Sequence, residues 1–167
     1  MKKQNYSKSS TEFSLQEKEV HIWQINMNWI SIENKISLEK LLSADETRRA
    51  GKFRFEKDRD AFIMSTGLLR LLIQLYTDIP AKQILFTKNS FGKPEIFKEQ
   101  NSRKLYFNLS NSQNLLCAGF ILNEPIGVDI EVIKPINDYY DVAENFCSDS
   151  EIAELKTFPE EKRQQPT

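Results

Sequence analysis

The sequence has few of the residues that build disulfide frameworks or thiolate metal sites. Its 167 residues include two cysteines, Cys117 and Cys147, and a single histidine. No Cys-x-x-Cys pair occurs. The composition therefore argues against both a disulfide framework and a structural zinc site.

Long apolar runs and an excess of either charge are also lacking. No stretch approaches the roughly 20 apolar residues that a transmembrane helix needs, and no apolar run follows the basic N-terminus as it would in a secretory signal. The 23 basic and 24 acidic residues leave a net charge of −1, which gives no long-range attraction to nucleic acid or anionic lipid. We expect a soluble cytoplasmic protein that has neither nucleic acid nor membrane as a partner.

The hydrophobic content, in contrast, is ample: 40% of the residues are hydrophobic and 11 are phenylalanine. This suits one globular domain or two small lobes that share a core. Residues 1–18 are polar and are expected to be irregular. Residue patterns predict strands in 19–29, 83–87, 104–110, 115–122 and 125–132 and a turn over 88–96. They predict helices in 56–79 and 141–158, and two helices in 37–55 separated by a break near Ser43. Ser43 and Glu46 match a capping box, and Ser148 is a candidate cap for the last helix. The order predicts an α+β fold with antiparallel, hairpin-built sheets.

The last predicted strand, "PIGVDIEV" (125–132), carries two carboxylates. Alternation along a strand puts Asp129 and Glu131 on one face, with Cα atoms about 6.5–7 Å apart at a rise of about 3.3 Å per residue. Like charges this close repel unless water or a cation screens them. Taken alone, the pattern favours a solvated outer face over a cation site.

Two other stretches change that balance. In "FGKP" (91–94), Gly92 permits a tight turn and Pro94 fixes its exit, so that Lys93 is presented as a compact positive charge. In "FNLSNS" (107–112), Ser110 and Asn111 crowd a strand end with hydrogen-bond donors. Each is a common turn by itself. Together with the carboxylate pair they supply what a diphosphate with bound Mg²⁺ needs.

The combination resembles a known family. The stretches "FGKPEI", "FNLSNSQNL", "IGVDIEVIKP" and "ENFCSDSEIAEL", with "LLSADETRRAGKFRFEKDRDAFIMSTGLLRLLI" upstream, are similar to 4′-phosphopantetheinyl transferases of the surfactin-synthetase-activating (Sfp-like) type. The likeness covers roughly residues 20–165 and is greatest to cyanobacterial members. Such enzymes move the phosphopantetheine arm of coenzyme A, their co-substrate, onto a serine of an apo acyl or peptidyl carrier protein and release 3′,5′-ADP.

The resemblance implies a fold of two pseudo-symmetric α+β lobes, each with an antiparallel sheet and a long helix. Residues 19–108 would form the first lobe and 109–167 an incomplete second lobe, with coenzyme A between them.

The resemblance also implies site residues. Mg²⁺ would be held by Asp129 and Glu131, and coenzyme A would be bound by Arg49, Lys93, Pro94, Ser110 and Asn111, with Arg49 reaching the 3′-phosphate. Glu151 would be the catalytic residue, an acidic side chain near the attacking serine. Two of these residues also have a purely structural interpretation. Arg49 would be a solvated surface charge, and Glu151 would be a first-turn glutamate stabilised by the helix dipole.

Two departures from the family pattern bear on activity. Asn111 stands where the family usually has histidine, and asparagine is never cationic, so its grip on phosphate is expected to be weaker. The sequence also ends before the family's W-x-x-K-E helix, so we expect a truncated chain with little or no activity alone.

Two functions other than transfer would use the same residues. The alternative is a non-catalytic remnant that binds coenzyme A or a nucleotide. A metal-dependent nuclease using Asp129, Glu131 and Lys134 is disfavoured because the lysine spacing is wrong and the chain has no net positive charge.

Overall fold

The computed structural model describes residues 14–132 and 139–157, without the side chains of residues 139–142. The chain divides into two compact units, Met1–Ile130 and Glu131–Thr167. The lobe boundary expected between residues 108 and 109 falls inside a strand, and residues 109–130 belong to the first unit. Lys134 lies outside the described residues.

The elements follow the predicted order closely. The strands are β1 His21–Asn26, β2 Phe86–Lys88, β3 Pro94–Ile96, β4 Leu105–Ser112 and β5 Leu115–Leu122. The α-helices are α1 Ile32–Glu39, α2 Ala44–Ala50, α3 Glu56–Tyr76, α4 Tyr139–Phe146 and α5 Asp149–Thr157. Short 3₁₀ turns occupy Met27–Trp29, Ala81–Gln83 and Lys98–Gln100. Among the described helices, none is both long and apolar enough to span a bilayer.

The first unit is built on an antiparallel three-stranded sheet in the order β1-β5-β4, accompanied by a separate β2–β3 hairpin. Phe107 lies opposite Phe120, and Asn108 lies opposite Gly119. Because side chains alternate along a strand, these two pairs project from opposite faces of the sheet. The predicted α+β class with antiparallel sheets is confirmed.

The core lies between α3 and one face of this sheet. Apolar side chains from both are almost completely removed from solvent: Leu69, Leu72, Ile73 and Tyr76 from the helix, and Leu105, Phe107, Leu116, Ala118 and Phe120 from the sheet. Each such large side chain contributes about 1.5–3 kcal/mol when fully buried. The 21-residue helix α3 is thus the central core helix that its sequence pattern predicts.

The single histidine has a structural partner. The Tyr76 hydroxyl lies 2.9 Å from His21 Nδ1 and accepts a hydrogen bond of 2.7 Å from Trp23 Nε1. The Tyr76 ring also stacks 4.8 Å from Phe120. These contacts tie β1 to α3.

The predicted capping box at the start of α2 is present. The Glu46 N–H donates to Ser43 Oγ at 3.2 Å, and the Ser43 N–H donates to Glu46 Oε2 at 2.7 Å. The preceding helix starts at Ile32, earlier than expected, because Ser31 caps it by accepting from the Asn34 N–H. Helix α2 stops at Ala50, short of the predicted end at residue 55.

Three other predictions of secondary structure need correction. Residues 125–132 form no strand in the described structure, since the N–H groups of Val128 and Ile130 bond to side chains and not to a neighbouring strand. The predicted turn over 88–96 contains β3, and the strand predicted at residue 83 begins only at Phe86. Leu15, in the N-terminal segment expected to be irregular, is 3% exposed and belongs to the core, although residues 14–18 form no helix or strand.

The described part of the second unit contains α4 and α5, which matches the helical character predicted over 141–158, apart from residue 158, which lies outside the described residues. Ser148 stands at the start of α5, and Glu151 lies in its first turn. The Ser148 hydroxyl and N–H both donate to Glu151 Oε2, at 2.7 and 2.8 Å.

Candidate functional site

Residues 126–130, here called the acidic segment, lie on the outer face of the sheet, away from α3. Ile126, Val128 and Ile130 are half-buried, whereas Gly127 and Asp129 are exposed. A Cβ added to Gly119, on that outer face, would meet Val128 and Ile126 side chains, so the segment packs directly over β5. The predicted alternation of apolar and acidic residues is therefore present without the predicted strand.

Asp129 is held by two donors on a single oxygen. The Ser110 hydroxyl donates to Asp129 Oδ1 at 2.6 Å, and the Ile130 N–H donates to the same oxygen at 3.0 Å. The Ser110 hydrogen bond, followed by that of Ile130, lowers the pKa of the Asp129 carboxyl below its usual value. No described residue donates to Oδ2, so an ionised oxygen is left for an outside ligand.

Glu131, the other predicted metal ligand, is exposed and is the first residue of the second unit. The described residues contain no cluster of three or more His, Cys, Asp or Glu side chains suited to a metal ion. Mg²⁺ is usually held by one or two carboxylates together with phosphate oxygens and water. The donor chemistry thus fits Mg²⁺ shared with a phosphate ligand better than a metal enclosed by protein.

Cys117 lies opposite Ser110 in the sheet and is 5% exposed. Burial, and then the charge of Asp129, raises the pKa of its thiol. The thiol therefore stays protonated at neutral pH and is not a candidate nucleophile.

A cationic cavity lies beside α2, α3 and the β2–β3 hairpin. Its volume is about 630 Å³, and Arg49, Phe62, Lys88, Pro94 and Leu109 are among the residues that line it. Asp45 and Glu46 line it too, but their carboxylates are paired with Arg48 and Arg70. The Arg49 guanidinium lies 5.0 Å from the centre of the Phe62 ring, a cation–π contact. Within the described residues no carboxylate pairs with Arg49 or Lys88. Both charges are available to an anion.

The predicted turn at 91–94 is present. Gly92 adopts φ +78°, a region that suits glycine, and Asn89 Oδ1 accepts from the N–H groups of Phe91 and Lys93. Pro94 begins β3 and lines both the cationic cavity and a second cavity of about 690 Å³ on which Lys93 also borders. The Lys93 ammonium donates to the Ile126 carbonyl at 2.6 Å, so it is directed to the acidic segment.

Ser110 and Asn111, which the sequence places together at the phosphates, lie on opposite faces of β4. Ser110 faces Asp129. Asn111 is exposed and shares a face with Leu109, which lines the cationic cavity. In the described structure β4 is the edge of its sheet. A ligand that used both residues would have to pass around that edge.

Glu151 lies in the second unit, exposed, with its carboxylate bonded to Ser148. The Ser148 N–H, and then its hydroxyl, lowers the pKa of Glu151 below the usual glutamate value. This is the geometry of a helix cap, and it leaves the carboxylate ionised at neutral pH. Its catalytic role stays a prediction.

Three residues of the site have no role predicted from the sequence. Phe62 supports Arg49, Lys88 adds a second charge to the cavity, and the Asn108 side chain accepts from the Val128 N–H at 2.8 Å. Asn108 had a signal, as an outward-facing residue of the "FNLS" stretch. The contact between Phe62 and Arg49 joins residues from separate helices and leaves no local pattern.

Comparison with known proteins decides the family. The family described as 4′-phosphopantetheinyl transferase, N-terminal, matches residues 27–119, which is more than half of the chain. The chain belongs to the 4′-phosphopantetheinyl transferase family. The matched range includes Arg49, Lys93, Pro94, Ser110 and Asn111, and ends before Asp129. The family assignment made from the motifs, with its likeness to cyanobacterial members, is confirmed.

Curated relatives carry the same name. The 4′-phosphopantetheinyl transferase HetI of Nostoc sp. is 33% identical over 147 residues, which are 87% of this chain and 61% of the relative. The 4′-phosphopantetheinyl transferase psf-1 of Bacillus pumilus is 32% identical over 127 residues, 76% of this chain and 52% of the relative. For the transferase Sfp of Bacillus subtilis the identity is 26% over 126 residues, 75% and 54%. The chain thus spans between half and two thirds of the length of these relatives.

Proposed function

We propose that this chain binds coenzyme A with Mg²⁺ and belongs to a protein that transfers the 4′-phosphopantetheine arm to a serine of an apo acyl or peptidyl carrier protein. The observation that carries the proposal is the arrangement around β4. A carboxylate oriented by Ser110 lies on one face, and a cavity containing unpaired Arg49 and Lys88 lies towards the other. The names of the relatives support the transfer reaction.

Coenzyme A suits this arrangement because it carries two separate anionic groups, a 3′-phosphate and a diphosphate on the 5′ side of the same ribose. We assign the 3′-phosphate to Arg49 and Lys88, with Asn111 on the same side of the strand. Arginine offers several fixed donors to phosphate, and lysine offers a point charge. Pro94, which lines the cavity, would border the nucleotide.

The diphosphate is assigned to the acidic segment. Asp129 and Glu131 would hold Mg²⁺, which when bound supplies positive charge against the diphosphate oxygens. The Ser110 hydroxyl keeps Asp129 ionised and turned so that Oδ2 is open. Lys93 would hold the acidic segment in place through its hydrogen bond to the Ile126 carbonyl. This role differs from the nucleotide contact that the sequence predicts.

In the transfer, the carrier serine oxygen forms a bond to the phosphorus next to the pantetheine arm, and the bond from that phosphorus to 3′,5′-ADP breaks. The serine proton goes to a carboxylate, and we assign this role to Glu151 because it matches the acidic position of the family; its lowered pKa keeps it ionised at neutral pH but makes it a weaker base. Positioning and charge neutralisation supply most of the rate enhancement in such reactions.

Two measurements test the proposal on the 167-residue chain. Calorimetry with coenzyme A, with and without Mg²⁺, tests binding, and mass spectrometry of an apo carrier protein tests transfer. Mg²⁺-dependent binding with a gain of carrier mass supports a transferase. Binding without a mass gain supports the non-catalytic alternative for this chain, and absence of coenzyme A binding overturns both. Asp129→Asn is the matched control because it removes the charge and keeps the shape.

A further inference from the structure

The segment that carries Asp129 is held by side chains in a regular pattern. Lys93 donates to the Ile126 carbonyl at 2.6 Å. Two residues on, the Val128 N–H donates to Asn108 Oδ1 at 2.8 Å. Two residues further, the Ile130 N–H donates to Ser110 Oγ at 3.3 Å. Every second residue of the segment is therefore fixed through its backbone by a side chain of β4 or of the neighbouring hairpin.

This pattern replaces the ladder of a β-sheet. Asn108 and Ser110 are two residues apart in β4 and project from the same face. Their spacing matches the two-residue repeat of an extended chain lying against that face. They therefore accept from the N–H groups of two alternate residues, Val128 and Ile130, which point the same way. Backbone N–H groups that are half-buried need such partners. The side chains supply them where no strand does.

A glycine completes the arrangement. Gly119 lies opposite Asn108 in the sheet, and a Cβ built there would come 2.5 Å from Val128 Cγ1 and 3.1 Å from Ile126 Cδ1. A side chain at this position would force the Val128 side chain out of its place against the sheet. By contrast, a Cβ on Gly127, within the segment itself, meets nothing within 4 Å.

We propose that Asn108 and Gly119 are positioning residues: they seat residues 126–130 on the sheet so that Asp129 reaches the Ser110 hydroxyl and presents its other oxygen to a cation. Neither contacts the cation. The inference rests on the metal role given to Asp129 in the proposed function. It adds that the affinity for the ion depends on two residues that offer it no ligand.

The seating is tested first, without any ligand. Asn108→Leu removes the acceptor and keeps the branched shape of the side chain, and we expect the Val128 amide to exchange its hydrogen about 2- to 10-fold faster, as loss of one hydrogen bond implies. Asn108→Asp keeps the acceptor oxygen and should retain the slow exchange. Gln24→Leu, which also replaces a side-chain amide by leucine but at an exposed residue of the same sheet face, is the matched control. Unchanged exchange in Asn108→Leu, followed residue by residue by NMR, overturns the inference.

The consequence for the ion is tested second, by Mg²⁺ calorimetry on the same chain saturated with coenzyme A, because the site shares the ion with the diphosphate. Loss of an orienting partner typically lowers metal affinity by about 10- to 100-fold, and we expect a loss in this range for Asn108→Leu and for Gly119→Ala. Gly127→Ala, the neighbouring glycine with open space, should bind as the parent does.

Asp129→Asn distinguishes a failure of the positioning role from a failure of the proposed metal site. If it weakens Mg²⁺ binding while Asn108→Leu and Gly119→Ala do not, the positioning role is wrong and the proposed metal site stands. If Asp129→Asn itself leaves Mg²⁺ affinity unchanged, the proposed metal site is wrong, whatever the amide exchange shows.

Discussion

Arg70 and Glu46 form a two-point ion pair that joins α3 to the first turn of α2. Arg70 Nε donates to Glu46 Oε2 at 2.9 Å, and its NH2 group donates to Oε1 at 3.0 Å. Arg70 is only 1% exposed, and its remaining donor group bonds the carbonyls of Ala81 and Ile84. Since Glu46 also closes the capping box of Ser43, one carboxylate fixes both the start of α2 and its attachment to the core helix.

Removing this arginine should destabilise the first unit strongly. Arg70→Ala leaves a carboxylate and two carbonyls without their buried partner, and breaking a buried ion pair typically costs about 3–5 kcal/mol. Urea unfolding measures the loss. Arg48→Ala, whose pair with Asp45 is exposed, is the control and should change the free energy of unfolding by less than about 0.5 kcal/mol. Equal effects of the two substitutions would contradict this account.

The contact between α1 and α3 depends on Gly67. A Cβ there would lie 2.7 Å from Leu38 Cβ and 2.9 Å from the Leu38 carbonyl oxygen. We expect Gly67→Ala to lower the free energy of unfolding by about 1–3 kcal/mol through overpacking, despite the better helix propensity of alanine. Gly51→Ala, where the nearest atoms are 3.6 and 3.7 Å away, should be tolerated. A stabilised Gly67→Ala protein would show that the helices separate freely.

The Arg49 assignment predicts a selective loss of ligand affinity. Arg49→Ala should weaken coenzyme A binding about 10-fold or more, since hydrogen bonds to charged groups contribute about 1.5–3 kcal/mol. Binding of 3′-dephospho-coenzyme A should not change. Arg59→Ala, whose partner Glu39 like Arg59 itself does not line the cavity, should bind both as the parent does. An equal loss for both ligands on Arg49→Ala would place the guanidinium elsewhere on the nucleotide.

Restoring the usual family residue at position 111 should make binding pH-dependent. Histidine titrates near pH 6.5, so Asn111→His adds a positive charge on the cavity side of β4 only at lower pH. We expect coenzyme A to bind this variant more tightly at pH 6 than at pH 8, relative to the parent at the same two pH values. Calorimetry at both pH values checks it, and a pH-independent ratio would count against Asn111 as a phosphate contact.

The Ser148 cap predicts a titration change in the second unit. Because the folded-state pKa of Glu151 is lowered, its stabilising contribution is complete above the ordinary glutamate pKa and is lost as the pH falls through the lowered value. Ser148→Ala removes the hydroxyl donor, so the Glu151 pKa should rise towards the ordinary value. Carbon-detected NMR of the carboxyl group measures it. Ser150→Ala, which keeps both donors, should leave the titration in place, and a Glu151 pKa that stays low in Ser148→Ala would exclude the hydroxyl as a cause.

Local signals in the sequence predicted most of the fold. The Ser43 capping box, the periodicity of α3 and the alternation in β4 and β5 each depend on residues a few positions apart, and the structure shows all of them. The start of α1 was misplaced because Ser31, a single capping residue, outweighs the weak apolar pattern that follows it.

The site was less visible because its parts meet through non-local contacts. The two stretches that contain Ser110 and Asp129 are each recognisable, but the hydrogen bond between these residues joins positions 19 residues apart. A period-two pattern reports which side chains are exposed and not whether the backbone has a strand beside it. The "PIGVDIEV" stretch therefore carries the alternation of a strand while bonding to the side chains of Asn108 and Ser110.

The hydrogen bond from Trp23 to Tyr76 also gives the molecule a built-in optical reporter. The chain has two tryptophans, and the other, Trp29, is 84% exposed in the native state. Its indole meets solvent whether the chain is folded or not, so it contributes an almost constant background. The shift in emission wavelength on denaturation should therefore come from Trp23, and it will register the separation of β1 from α3.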